Sequence, residues 1–179
     1  MNARRRQGTR RQESAVREID EVTLRQFEAR DLDWLVEAHA ELYARTEGFD
    51  DSFAVLVSAI LTDFVDHNDA IWERGWVAER QGWRLGSIFC VKSKDPLQAK
   101  LRLFLVQPEA QGLGLGRRLL ETSMGFARDR GYTGMQLWTH ESHAAACALY
   151  AAYGFEMTDA QPVRNFGVDL VEQTWKISF

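Results

Sequence analysis

The run from Leu103 to Arg118, LFLVQPEAQGLGLGRR, constrains this chain more than any other stretch. It reads as an apolar strand, a proline-punctuated turn and a helix start with glycines at Gly112, Gly114 and Gly116. A glycine inside a helix costs about 1 kcal/mol relative to alanine. Glycines at this density suit a place where something must come close to the backbone, which the missing Cβ permits. A helix start also presents unpaired N–H groups and the positive end of its dipole, a combination suited to phosphate or pyrophosphate. The backbone from Gly112 through Leu113, Gly114, Leu115 and Gly116 to Arg117 is therefore a candidate phosphate cradle, with Arg117 or Arg118 as a further partner.

The helix that follows puts Gly116, Leu119, Leu120, Ser123, Met124 and Ala127 on one face. Gly131 is its expected left-handed stop. A glycine-rich turn alone is weak evidence, since tight packing of a helix on a sheet explains it about as well. Its neighbours shift the balance. Upstream stands Val106-x-Pro108; downstream come a second strand over 134–140 and then LYAAYGF, from Leu149 to Phe155.

This order resembles the GCN5-related N-acetyltransferases (GNAT), which bind acetyl-CoA. Gln111, Gly114 and Gly116 match that family's Q/R-x-x-G-x-G/A signature, Val106 and Pro108 its V-x-P lead-in, and Tyr150 the tyrosine of its LY-x-x-x-GF element. A narrower likeness, to the acetyltransferase half of bacterial proteins that fuse it to a MarR-type DNA-binding domain, rests on residues 73–79 and 166–170. The resemblance implies an α/β fold with a mixed, mostly antiparallel central sheet flanked by helices, one parallel strand pair being splayed at the cofactor site. It implies acetyl transfer from the acetyl-CoA thioester to a primary amine of a small molecule or protein by direct attack. It also adds Leu105, Val106 and His143 to the cofactor contacts. His143 stands where members often carry asparagine, seven residues before the tyrosine. Many members are dimers, which leaves a homodimer open.

Composition narrows the remaining possibilities. At 179 residues, 45% hydrophobic, the chain suits one globular domain, so no MarR-type domain fits beside it. No apolar run approaches the ~20 residues of a membrane helix and no signal peptide is visible, so no membrane partner is expected. Cys90 and Cys147 lack metal or redox spacing; no metal is expected, and reduced thiols in a cytoplasmic protein are the preferred reading. Residues 1–18 hold six arginines against two glutamates, whereas the rest of the chain holds 16 basic and 24 acidic residues. The expectation is a disordered basic tail over 1–18 and an N-acetyltransferase domain over 19–179. An acidic domain disfavours nucleic acid and suits a cationic amine acceptor. The tail keeps one nucleic-acid reading open, which its deletion would test.

In chain order, strands are expected over 22–27, 71–79, 84–91, 100–106, 134–140 and 169–179, with 155 opening a further strand and 160–167 a loop. Helices are expected from Asp31, as N-cap, through Tyr43, and from Phe53 to Val65, with a loop at 46–52. In the resembled family these two helices wall the acceptor site. Glu47 and Phe49, with Asp50 and Asp51, are therefore candidates to meet the amine; N-capping by Asp51 and a solvated Glu47 are the plainer alternatives.

An alkylamine of pKa about 10.4 is almost wholly charged at neutral pH, so a base must take its proton. Tyr150 is the candidate donor to the departing sulfur. The base is less legible. The strand over 100–106 carries no carboxylate, which leaves His140, Glu79 or a water chain. Dinucleotide binding fits poorly, because no acidic residue closes a strand about 20 residues on. A non-catalytic acyl-CoA-binding regulatory module is the alternative from another class, and the absent carboxylate and His143 keep it open.

Overall fold

The computed structural model describes residues 21–179. The arginine-rich tail expected over 1–18 lies outside the described residues. The elements run β1 (Thr23–Gln26), a 3-10 turn, α1 (Leu32–Glu47), α2 (Ser52–His67), β2 (Arg74–Arg80), β3 (Trp83–Lys92), β4 (Gln98–Val106), a second 3-10 turn, α3 (Leu115–Asp129), β5 (Gly134–His140), α4 (Ala144–Ala152), β6 (Glu156–Asn165) and β7 (Val168–Ser178). The seven strands form one sheet in the order β1-β2-β3-β4-β5-β7-β6. β1 pairs antiparallel with β2 after the chain has passed through α1 and α2, short connections make β2, β3 and β4 antiparallel, and the crossover through α3 makes β4 and β5 parallel.

Two cores hold the layers together. Leu35, Val57 and Leu61 of α1 and α2 pack on Val77, Phe89 and Leu105. On the other face, Leu119, Leu120 and Met124 of α3 and Tyr150 of α4 pack with Ile88 and Leu137. The alternation along each strand sorts its side chains between these cores.

Several boundaries differ from the sequence expectation. α1 runs on to Glu47 and ends where Gly48 takes φ +75, so the 46–52 loop shrinks to Gly48–Asp51. β2 starts at Arg74, because Trp72 and Glu73 donate their N–H groups to the Asp69 carbonyl in a turn. The expected 160–167 loop is strand: β6 pairs with β7 out to Asn165 opposite Val168. Pro162 is tolerated there because β6 is an edge strand. Asp31 does not cap α1; its carboxylate goes to Arg25, Arg84 and the Glu28 amide. Asp51 sits at the α2 N-cap position without a side-chain cap bond, and Asp50 accepts from the Ser52 amide instead, at 3.0 Å.

Candidate active site

β4 and β5 pair only over Gln98–Lys100 against Gly134–Gln136. Beyond that the ladder ends and the facing backbone edges are left for another partner. β4 is irregular at the same place. Phe89 faces Arg102 while Ser87 faces Leu105, so β4 carries an extra residue against Ile88. Leu103 takes φ +48 there, costly for a branched side chain, and the Ser87 hydroxyl donates to its carbonyl at 2.7 Å.

The glycine loop lies at the end of β4. Gly112 and Gly114 take φ +73 and +86, and Gly114 is the N-cap of α3. The first α-helical bond runs from the Arg118 amide to the Gly114 carbonyl, so the Leu115, Gly116 and Arg117 N–H groups precede it. A Cβ at Gly112 would meet nothing within 4 Å. One at Gly116 would lean 3.6–3.7 Å from Phe104, Val106 and Leu149, between β4 and α4. The loop is open at Gly112 and its N–H groups precede the helical ladder, so these residues fit the pyrophosphate of acetyl-CoA. The Gln111 side chain is committed elsewhere, donating to the Val106 carbonyl at 3.1 Å and tying the loop to its strand. Arg118 likewise donates to the Val22 carbonyl, at 2.6 Å, whereas Arg117 stays exposed.

Tyr150 is buried on α4, 3% exposed, with ring neighbours Phe104, Phe155 and Trp175. Burial, with smaller contributions from Tyr43 and Cys147, pushes its phenol well above the usual range. It therefore holds its proton at neutral pH, as a proton donor must.

A second group gathers at the end of β5. His140 and His143 have ring centroids 5.2 Å apart, and His143 Nε2 lies 3.7 Å from Glu47 Oε1. Thr139 Oγ1 pairs with His143 Nδ1 at 3.1 Å. Tyr43, one turn before Glu47, lies 5.0 Å from the His143 ring; burial and then the Glu47 charge push its hydroxyl up to about 12. Phe49 contacts His140 at 5.6 Å and Phe166 at 4.9 Å. The Asp50 amide donates to the Phe166 carbonyl, so the α1–α2 loop is docked on the β6–β7 turn. His140 Nδ1 and His143 Nε2 are buried without a hydrogen-bond partner among the described residues. Burial lowers both imidazoles below their ordinary value of 6.5, against the opposing charge of Glu47. Both are neutral at pH 7.

The structure thus brings together Glu47, Phe49, His140 and His143, and leaves out Glu79, whose carboxylate is held by Arg25 Nε at 2.8 Å. His143, expected as a cofactor contact, faces Glu47 and Thr139. Tyr43 and Phe166 were missed. Tyr43 reads as one more residue of an apolar helical stripe, and Phe166 precedes a glycine inside what looked like a loop. Among the described residues no group of three or more His, Cys, Asp or Glu could hold a metal, and no helix is long and apolar enough to cross a membrane.

A mixed sheet whose parallel pair opens beside a glycine-led helix, with a buried phenol near the opening, is the architecture of an acetyltransferase. The model of the acetyltransferase (GNAT) family matches residues 28–155, and the chain belongs to that family. It is 38% identical over 87 residues to N-acetyltransferase family 8 member 3 of Rattus norvegicus, covering 46% of this chain and 38% of that protein. It is 38% identical over 80 residues to mycothiol acetyltransferase of Thermomonospora curvata, covering 45% of this chain and 27% of that one. The matched stretch spans less than two fifths of either relative's length. The fold is shared with yncA of Salmonella typhimurium, described as an acetyltransferase and solved with acetyl-CoA, at TM-score 0.67 and 22% identity over 88% of this chain and 93% of that one. It is also shared with ribosomal-protein-alanine N-acetyltransferase of Brucella melitensis, at TM-score 0.69 and 20% identity over 88% and 99%.

Proposed function

We propose that this chain is an acetyl-CoA-dependent N-acetyltransferase that acetylates a primary amine by direct attack on the thioester. The observation that carries the reading is the unpartnered Nδ1 of a neutral His140 at the end of β5, where the β4–β5 ladder has already ended. Bound acetyl-CoA would supply a thioester carbon as the acyl donor, its pyrophosphate held by the amides from Gly112 to Arg117. Leu105 and Val106 offer strand backbone along the opening. His140 accepts the proton that the amine must lose. Glu47 draws the cationic acceptor and, with Thr139, orients His143. Tyr150 Oη holds the proton that a departing thiolate needs. The narrower MarR-fusion likeness rests on two segments with plain structural work: Glu73 accepts from the Asp69 and Lys92 amides, and Phe166 walls the histidine group.

Acetyl-CoA calorimetry followed by CoA release over an amine panel tests this reading; binding without release over a broad panel would overturn it. Gly114→Val should weaken acetyl-CoA binding by about tenfold or more, about 1.4 kcal/mol. The change crowds the cradle and puts a branched residue at positive φ. Gly116→Ala, whose Cβ meets only ordinary contacts, is the folded control. Equal affinity in Gly114→Val would remove the cradle assignment.

The pH profile tests the base. A lowered imidazole pKa means that the neutral, proton-accepting form persists above it and is lost as pH falls through it. The acid limb of kcat/KM should therefore lie below pH 6.5. His140→Gln should remove that limb and lower kcat/KM at pH 7 by about 10²-fold. A limb unchanged in the variant would assign it to another group.

A further inference from the structure

The sheet face shared with α1 and α2 carries charged side chains at successive levels along β5. Register sets the side. Arg102 stands opposite Phe89 and Lys100 opposite Val91, both members of the α1–α2 core, and Lys100 is level with Gln136 across the parallel pair. Gln136, Trp138 and His140 alternate onto that face. β7 places Lys176, Thr174 and Glu172 opposite them in turn. At the His140 end stand Glu172 and Glu47, whose charges both act on the imidazole. Toward the other end stand Arg102, Lys100 and Lys176, the last opposite Glu156 of the edge strand β6.

The helices leave this part of the face open: Trp138 is 46% exposed, with Lys100 Nζ 3.7 Å from its ring centroid. Neither the Arg102 nor the Lys100 side chain has a hydrogen bond or ion pair among the described residues. The acid whose charge reaches Arg102 is Asp63 of α2, and that carboxylate is paired with His67 at 3.2 Å. Burial, then the charges of Arg102 and Lys94, lower Lys100 to about 8. The Lys100 ammonium thus lies over Trp138, two strand positions below a histidine flanked by carboxylates, with Arg102 two residues along the same strand and Asp63 the one carboxylate whose charge reaches that arginine.

We propose that the acceptor is an amino-carboxylate, bound with its amine toward His140, Glu47 and Glu172 and its carboxylate toward Arg102 and Lys100, over the face of Trp138. Two residues of strand separate the levels of His140 and Trp138, about 7 Å. The acceptor's two charges should be separated on that scale, as in a dipeptide or an ω-amino acid. This rests on the acetyl-transfer reading of the same site.

Matched acceptors test it: alanyl-alanine against its C-terminal amide, and 6-aminohexanoate against hexylamine. In the wild type kcat/KM should favour the carboxylate member of each pair by about 10–100-fold, the range of a hydrogen bond to a charged group. Arg102→Gln should collapse that ratio toward one, mainly through KM, and Arg102→Lys should restore part of it. A ratio near one in the wild type, or one that Arg102→Gln leaves intact, would overturn the proposal. Calorimetric titration of the same pairs in the presence of CoA reads the ratio without turnover. Selective binding without transfer would overturn the acetyl-transfer reading alone, and equal binding of both members would overturn this one.

Discussion

Tyr150→Phe should lower kcat by about 10²–10⁴-fold, the range for loss of a positioned proton donor or acceptor, with little change in acetyl-CoA affinity or thermal stability. The separation between these effects comes from the packing. The ring is buried among Phe104, Phe155 and Trp175, and phenylalanine keeps every one of those contacts. What disappears is one hydroxyl whose proton is held firmly, because burial disfavours the phenolate. A ring serving only as core would therefore leave kcat untouched in the phenylalanine variant. Single-turnover measurement with saturating acetyl-CoA and acceptor separates the chemical step from product release. An unchanged rate there would remove Tyr150 from the proton-donating role.

Tyr150 also shows why much of this site could be read from sequence. It sits in a local motif, and so do Gly112, Gly114 and Gly116: each owes its identity to a few neighbours in the chain. The parallel pair followed from a strand-helix-strand order, and the stop at Gly131 was borne out as a left-handed residue at φ +84. What escaped depends on distant partners. Glu79 looked free to act as a base until β1 laid Arg25 across it. Pro162 signalled a loop and became an edge strand, because pairing with β7 outweighs a local preference. Tyr43 is spaced as a core residue, and only folding brings His143 against it. The strand over 100–106 was read only as carrying no carboxylate; that Lys100 and Arg102 share one face emerges only when Val91 and Phe89 set their side of the sheet.

Asp31→Ala should destabilise the protein by about 3–5 kcal/mol, a large share of the roughly 5–15 kcal/mol by which such domains are stable. The carboxylate is fully buried, with both oxygens used. Arg25 reaches it at 2.7 and 2.8 Å, Arg84 Nε at 2.9 Å and the Glu28 amide at 3.0 Å. Removing it leaves two guanidinium groups without their shared carboxylate, and Arg25 retains only Glu79 and the Gln26 carbonyl. Burial alone would raise the Asp31 pKa; the Arg25 hydrogen bonds, the Glu28 amide and the charges of Arg25 and Arg84 outweigh it and hold the group below its ordinary value. The folded pKa is thus the lower one. The stabilisation is complete above the unfolded value near pH 4 and is lost as pH falls through the folded value, where the unfolded chain binds more protons. Urea unfolding of the wild type should weaken steadily below about pH 4, and Asp31→Asn should flatten that slope while being less stable at pH 7. Parallel pH dependences in the two proteins would show that Asp31 is not the group responsible. The consequence reaches the site, because α1 begins at Leu32, directly after this anchor, and carries Tyr43 and Glu47 on its last turns. Loosening Asp31 frees the end of the helix that sets Glu47 against His143, so acceptor KM should rise before the sheet unfolds.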